Sequence, residues 1–216
     1  MDAVPTTPST RAPRRDAAEN REAILTAAAA ALNDDIDASL ETIAQRAGLS
    51  RRALYGHFAT REDLLVDVFT RGAARLAVLL EPVAHPDARV EIALFGATLW
   101  AEVEHVRVSA ALAVRGPYRE RVGAALDPAR ERLHGTVERG VAAGQLRTDL
   151  DVDTVSRLIE NAAVSVLDDA TRTGLSRKAG HRLVMLAGLS AAGLGWREAD
   201  ALIAETPELA FTGASA

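Results

Sequence analysis

The chain has 216 residues, 48% hydrophobic and 25% charged, with a net charge of −5, no cysteine, and Lys178 as its single lysine. The length leaves room for a small domain followed by a larger one. No apolar run approaches the roughly 18–20 residues of a membrane helix, the N-terminus lacks the apolar segment of a secretory signal, and the absence of cysteine excludes disulfides, thiolate metal sites and cysteine nucleophiles. These features describe a soluble protein, expected in the cytoplasm and away from the membrane.

Residues 1–15 carry Pro5, Pro8 and Pro13 among Thr, Ser and Ala with no apolar period, which predicts a disordered tail. Arg14 and Arg15 there either reach DNA phosphates, as basic arms do, or belong to a solvated tail. Asp16 to Glu19 has the form of a capping box, and Ile24, Ala27, Ala28, Ala31 and Leu32 mark the inner face of a helix ending near Asn33. After the loop NDDID, Leu40, Ile43, Ala44 and Ala47 fall at i, i+3, i+4 and i+7 behind Ser39 as N-cap. Gly48 supplies a positive φ just past that helix, and Ser50 caps the next, in which Leu54 and Phe58 point inward. Two short helices joined by a tight turn form a helix-turn-helix.

The outer face of the second helix carries Arg51, Arg52, Tyr55 and Gly56. Arginine in a first turn opposes the helix dipole, so these two contribute little to helix stability. Their position suits phosphates and guanine edges instead. Between Ser39 and Arg61 four arginines stand against Glu41 alone, a net of +3 that leaves −8 on the rest of the chain. A basic patch on an acidic protein directs DNA to one surface.

The stretch GLSRRALYGHFATREDLL resembles the recognition-helix signature of the TetR (tetracycline-repressor) family of bacterial regulators, a resemblance that spans roughly Asp16 to Phe69. It implies phosphate contacts from Tyr55, His57 and Arg61. With the N-terminal hydroxyls of both short helices, the candidate DNA-binding set is Ser39, Thr42, Ser50, Arg51, Arg52, Tyr55, Gly56, His57 and Arg61. One departure is Asp35, where the family usually has Gly; Asp tolerates a left-handed conformation better than most residues, so the turn is expected to survive.

Thr60 and Asp63 cap a fourth helix running through Leu64, Leu65, Val68 and Phe69 to Leu80, stopped by Pro82 and Pro86. Beyond it every segment reads as helix: Asp87–Arg115, long enough to be two; Tyr118–Leu126; Pro128–Ala143 with Asp127 as N-cap; Val152–Arg172; Ser176–Leu194, its start blurred by Gly180; and Trp196–Ala204. The expected fold is therefore all-α, with a three-helix helix-turn-helix domain over residues 16–65 and a larger helical domain over 66–216. The two long helices after Val152 are apolar on more than one face, including Leu158, Ile159, Leu186 and Leu189, and a small-residue run from Gly188 to Gly193 admits close approach. Plain burial and a two-fold interface explain this equally; the resemblance favours a homodimer on a palindromic double-stranded DNA operator.

No Gly-rich phosphate loop, His-Glu-x-x-His or nucleophile elbow is present, and no enzyme or cofactor is expected. Glu102-x-x-His105 and Glu131-x-x-His134 repeat the Glu-x-x-His spacing of carboxylate-bridged di-iron bundles. A helical metal-binding protein or enzyme with a DNA-binding appendage is thus one alternative. Phe95, Trp100, His105, Tyr118, His134, Asn161 and Met185 are the large or polar residues among Ala, Leu and Val, and form the candidate lining of a small-molecule site. The resemblance implies a repressor released from DNA by such an effector; the other alternative is a ligand-independent regulator working through a protein partner.

Overall fold

The computed structural model describes residues 12–114 and 117–212, with side chains from Asp16 onward. It is all-helical over these residues: α1 (Ala12–Asp34), α2 (Leu40–Arg46), α3 (Arg51–His57), α4 (Arg61–Leu80), α5 (Ala88–Val103), α6 (Arg107–Ala113), α7 (Tyr118–Ala142), α8 (Val152–Thr173), α9 (Arg177–Ala191) and α10 (Trp196–Glu205), then a 3-10 turn at Pro207–Leu209. The chain divides into two compact units, Met1–Val68 and Phe69–Ala216, so the division falls inside α4. No helix among the described residues is long and apolar enough to cross a membrane.

The expected tail lies outside the described residues as far as Arg11, but Ala12 to Arg15 already belong to α1. Asp16 is therefore inside a helix and not its cap. Proline is no obstacle to such a start, because in the first turn of a helix its missing N–H would have no intrahelical partner in any case.

In the first unit Ile24, Leu25, Ala28, Ile43, Ala44, Leu54, Phe58 and Leu64 form one core, at the positions the helical periodicities mark. The connection after α1 is made differently from the expectation. No non-glycine residue among those described has positive φ, so Asp35 is not left-handed. Its carboxylate instead accepts the Asp37 N–H at 2.9 Å, an Asx turn that does the work of the usual glycine through a side-chain acceptor.

In the second unit α5, α8 and α9 pack around Ile92, Trp100, Val155, Ile159, Val184, Met185 and Leu189. Gly180 leaves α9 unbroken, because its missing Cβ makes room for the Trp100 indole, whose N–H donates to the Arg177 carbonyl at 2.9 Å. Gly188 faces Ile92 and Ile159 within the same unit. The small-residue run thus serves, at that position, a contact inside the chain.

The segment after Asp87 is two helices. Both sides of the break are held from elsewhere: Glu104 pairs with Arg177, and Arg107 donates to the carbonyls of Ala170 (3.3 Å) and Leu175 (2.8 Å). The expected break at Pro128 is absent, however, and α7 runs through the proline. The ring removes the donor that would meet the Ala124 carbonyl; separately, Arg130 Nη1 ties the same stretch together by donating to the Gly123 carbonyl (2.9 Å) and to Asp127 (3.0 Å). Asp127 is thus an ion-pair partner inside α7 and not an N-cap. The deepest carboxylate, Glu91, is 2% exposed and accepts from Thr136 Oγ1 (2.7 Å), Arg139 (2.6 Å) and the His85 N–H (3.1 Å). Burial alone would push this carboxyl up, but its donors hold it below the ordinary range.

Candidate nucleic-acid interface and ligand cavity

The geometry of α2 and α3 follows from local chemistry. Ser39 accepts the Thr42 N–H at 3.1 Å, and Ser50 accepts the Ala53 N–H at 3.1 Å, so each short helix starts where its cap puts it. Gly48, at φ +68°, turns the chain, and the Leu49 N–H returns to the Ala44 carbonyl at 2.9 Å. Leu54 and Phe58 are buried, which fixes the rotation of α3 and leaves Arg51, Arg52, Tyr55 and Gly56 exposed on its outer face. His57 is half-buried, while Ser39, Thr42 and Ser50 are exposed.

The Arg51 guanidinium lies over the Tyr55 ring, 5.6 Å from its centroid, with Glu41 at 3.9 Å. Both ion-pair partners are largely exposed, so the bridge is weak and readily exchanged for a phosphate. The Arg51 and Arg52 N–H groups fall in the first helical turn, where no intrahelical acceptor exists. Gly56 packs against nothing: a Cβ built there would meet no atom within 4 Å. Glycine lowers helix stability, and nothing inside the protein requires it here. The cost makes sense for a backbone that an outside surface must approach closely.

Arg61 is engaged by the loop ahead of α2. Its Nη2 donates to the Ile36 carbonyl at 2.5 Å and its Nε reaches the Ala38 carbonyl at 3.5 Å, clamping the loop between α1 and α2. At the start of α4 the Asp63 N–H donates to Thr60 Oγ1 at 3.0 Å, an N-cap bond, and the Thr60 hydroxyl donates to the Asp63 carboxylate at 2.7 Å.

The seven candidate lining residues of the second unit are not brought together. Trp100 and Met185 are core, and Phe95 joins Leu76 and Leu80 in a smaller cluster. Tyr118 stands edge-on to Phe69, with ring centroids 5.2 Å apart. His105 is exposed, and His134 pairs with Asp153 at 2.9 Å. Glu102 pairs with Arg75 at 2.8 Å, so the two Glu-x-x-His motifs are engaged separately. Among the described residues no three metal-ligating side chains converge.

Asn161 does line a cavity, of about 150 Å³, between α6, α7 and α8. Ala113, Val114, Val122, Leu126 and Val164 make its apolar walls, and Arg119, Arg130 and Glu160 join Asn161 as the polar groups. Arg130 is bound to Glu160 through Nε (3.1 Å) and Nη2 (2.9 Å). The hydrogen bond to Glu160 raises the Arg130 pKa beyond its ordinary value. Sequence reasoning missed these three charged residues because on surface helices Arg and Glu read as solvated. Arg119 and Arg130 flank Gly123 and Pro128, two helix-disfavouring residues of α7, while Glu160 lies on α8 with no such signal beside it.

Residues 24–68 match the family model described as "Bacterial regulatory proteins, tetR family". No curated protein matches the chain. Among solved structures the chain is similar to the transcriptional regulator FadR from Bacillus subtilis in complex with stearoyl-CoA: TM-score 0.69, 16% identity, covering 80% of this chain and 97% of that one. It is also similar to RolR in complex with resorcinol: TM-score 0.67, 17% identity, 91% and 99% covered. A third similar structure is a TetR transcription regulator from Haloarcula marismortui: TM-score 0.66, 20% identity, 81% and 97% covered. At these identities the structural likeness is one of fold.

Proposed function

We propose that the chain, whose residues 24–68 match the model of the tetR family of bacterial regulatory proteins, is a repressor that binds a palindromic operator as a homodimer and leaves it when a small molecule occupies the second unit. The carrying observation is the outer face of α3, where two exposed arginines, a tyrosine and an unpacked glycine stand together behind a serine-capped turn. That face suits a major groove: Arg51 and Arg52 supply bidentate donors, Tyr55 and His57 supply phosphate contacts, and the hydroxyls of Ser39, Thr42 and Ser50 supply further ones. Arg61 acts behind them by holding the loop that carries α2.

Dimerisation through α8 and α9 is supported by apolar side chains that their own core covers only in part. Leu158 is 39% exposed, and Ala162, Leu183, Leu186 and Ala187 are half-buried, while Val155, Ile159, Val184 and Leu189 face inward. Two recognition helices then meet half-sites about 34–36 Å apart. The bound resorcinol and stearoyl-CoA of the two neighbours support a small-molecule effector, and the single ring of resorcinol is nearer in size to this chain's cavity. α4 gives the effector a covalent route to the DNA-binding unit, since the division between units falls within this one helix.

The test is operator binding on duplexes selected from random sequence. Arg52→Ala should lose about 1–3 kcal/mol and relax preference at one base position, whereas Tyr55→Phe should weaken all sequences alike. Unchanged affinity in the Arg52→Ala, Tyr55→Ala double variant would refute the assigned face. Light scattering should give a dimer at micromolar concentration, split by Leu158→Glu; a monomeric wild type would refute the two-fold arrangement.

A further inference from the structure

We propose that the cavity between α6, α7 and α8 selects a small organic carboxylate of about one-ring size, held by Arg119 and Asn161. The inference rests on the reading above, that an effector binds in the second unit, and adds its chemistry.

Size comes first. A volume of about 150 Å³ is that of a cavity which takes up one benzene ring, and lies below the roughly 300 Å³ where drug-sized sites begin. Val122 and Val164 are among the apolar side chains that a ring would meet, and Arg119, Arg130, Glu160 and Asn161 make the polar part of the lining.

Charge decides the class. Arg130 is already committed: Nε and Nη2 go to Glu160, and Nη1 goes to the Gly123 carbonyl and Asp127. It and Glu160 form a neutral wall with little left for a ligand. Arg119 has no carboxylate partner among the described residues, and the Asn161 carboxamide has no hydrogen bond there either; only the Asn161 backbone carbonyl is used, by Ser165. The lining therefore carries one uncompensated positive charge beside a free amide donor. The setting strengthens it: Arg119 stands in the first turn of α7, and the N-cap Pro117 offers that turn no side-chain acceptor. The positive end of a 25-residue helix and an unpaired guanidinium act at one place. A carboxylate can take the Arg119 donors on one oxygen and the Asn161 amide on the other while its ring meets the valines. A neutral molecule leaves the charge unused, and a cation is repelled by it.

The experiment titrates the full-length protein by calorimetry with benzoate and hexanoate against the neutral benzamide and hexanamide. At least one carboxylate should bind about tenfold or more tighter than its amide. Arg119→Gln, at an exposed position, should abolish that preference and leave the amide unchanged, and Val164→Trp should block both. Equal binding of acid and amide, no binding of any probe, or a preference that survives Arg119→Gln would overturn the proposal. Operator anisotropy separates it from the release reading. Carboxylate binding that leaves DNA affinity unchanged would refute release and keep this site. Release by a compound that still acts on Val164→Trp would refute this site and keep release.

Discussion

Replacing Gly56 by alanine separates the two demands on α3, because folding and DNA binding should move in opposite directions. Glycine inside a helix is less stable than alanine by about 0.5–1 kcal/mol. A Cβ at Gly56 meets nothing within 4 Å, so no clash offsets that gain. Gly56 lies one residue from the end of the helix at His57, where fewer backbone bonds depend on it, and the gain should fall near the lower figure, about 0.5 kcal/mol. In a unit of this size that raises the midpoint of its thermal transition by roughly 2–4 °C. On DNA the new methyl stands between backbone and duplex, and losing one close charge-assisted contact there costs about 1.5–3 kcal/mol. Circular dichroism melting and fluorescence anisotropy on a selected duplex measure the two effects. A variant that melts lower than wild type would refute the claim that Gly56 is unpacked. One that melts higher and binds DNA as tightly would refute the claim that the bare backbone faces the duplex.

Arg61→Ala should destabilise the first unit by about 1–2 kcal/mol through loss of its bonds to the loop carbonyls. If Arg61 acted on phosphates alone, melting would be unchanged and the salt slope of binding would fall by about one. Glu91→Ala should cost about 2–4 kcal/mol, because Thr136 and the His85 N–H lose a buried acceptor; a loss under about 1 kcal/mol in urea titration would refute that role. Since the folded Glu91 carboxyl titrates below its unfolded value, its stabilisation is present above about pH 4.3 and is lost as pH falls through the folded pKa. The acid limb of the stability curve should accordingly be shallower in Glu91→Ala.

The sequence by itself determined whatever is settled within a turn or two of the chain. Ser39, Ser50, Thr60, Asp151 and Ser176 each bond a backbone or side-chain group three residues on, so the starts of α2, α3, α4, α8 and α9 are readable from spacing. The outer face of α3 is readable for the same reason, since burying Leu54 and Phe58 leaves one rotation. Tertiary structure decided wherever distant residues supplied the missing partner. α7 continues through Pro128 with Arg130 tied to Glu160 on α8 as well as to Gly123 and Asp127. Arg61 binds carbonyls 25 and 23 residues away, a clamp on the loop ahead of α2 that spacing along the chain does not reveal. Trp100 and Met185, plausible in a pocket by type, went to the core because Gly180 gives the indole its space. Arg119 and Asn161, unremarkable on their own helices, line one cavity because α7 packs against α8. A hydrogen bond across one helical turn is fixed by backbone geometry alone, whereas a contact between helices depends on which side chains fill the space between them, and spacing along the chain carries no record of that.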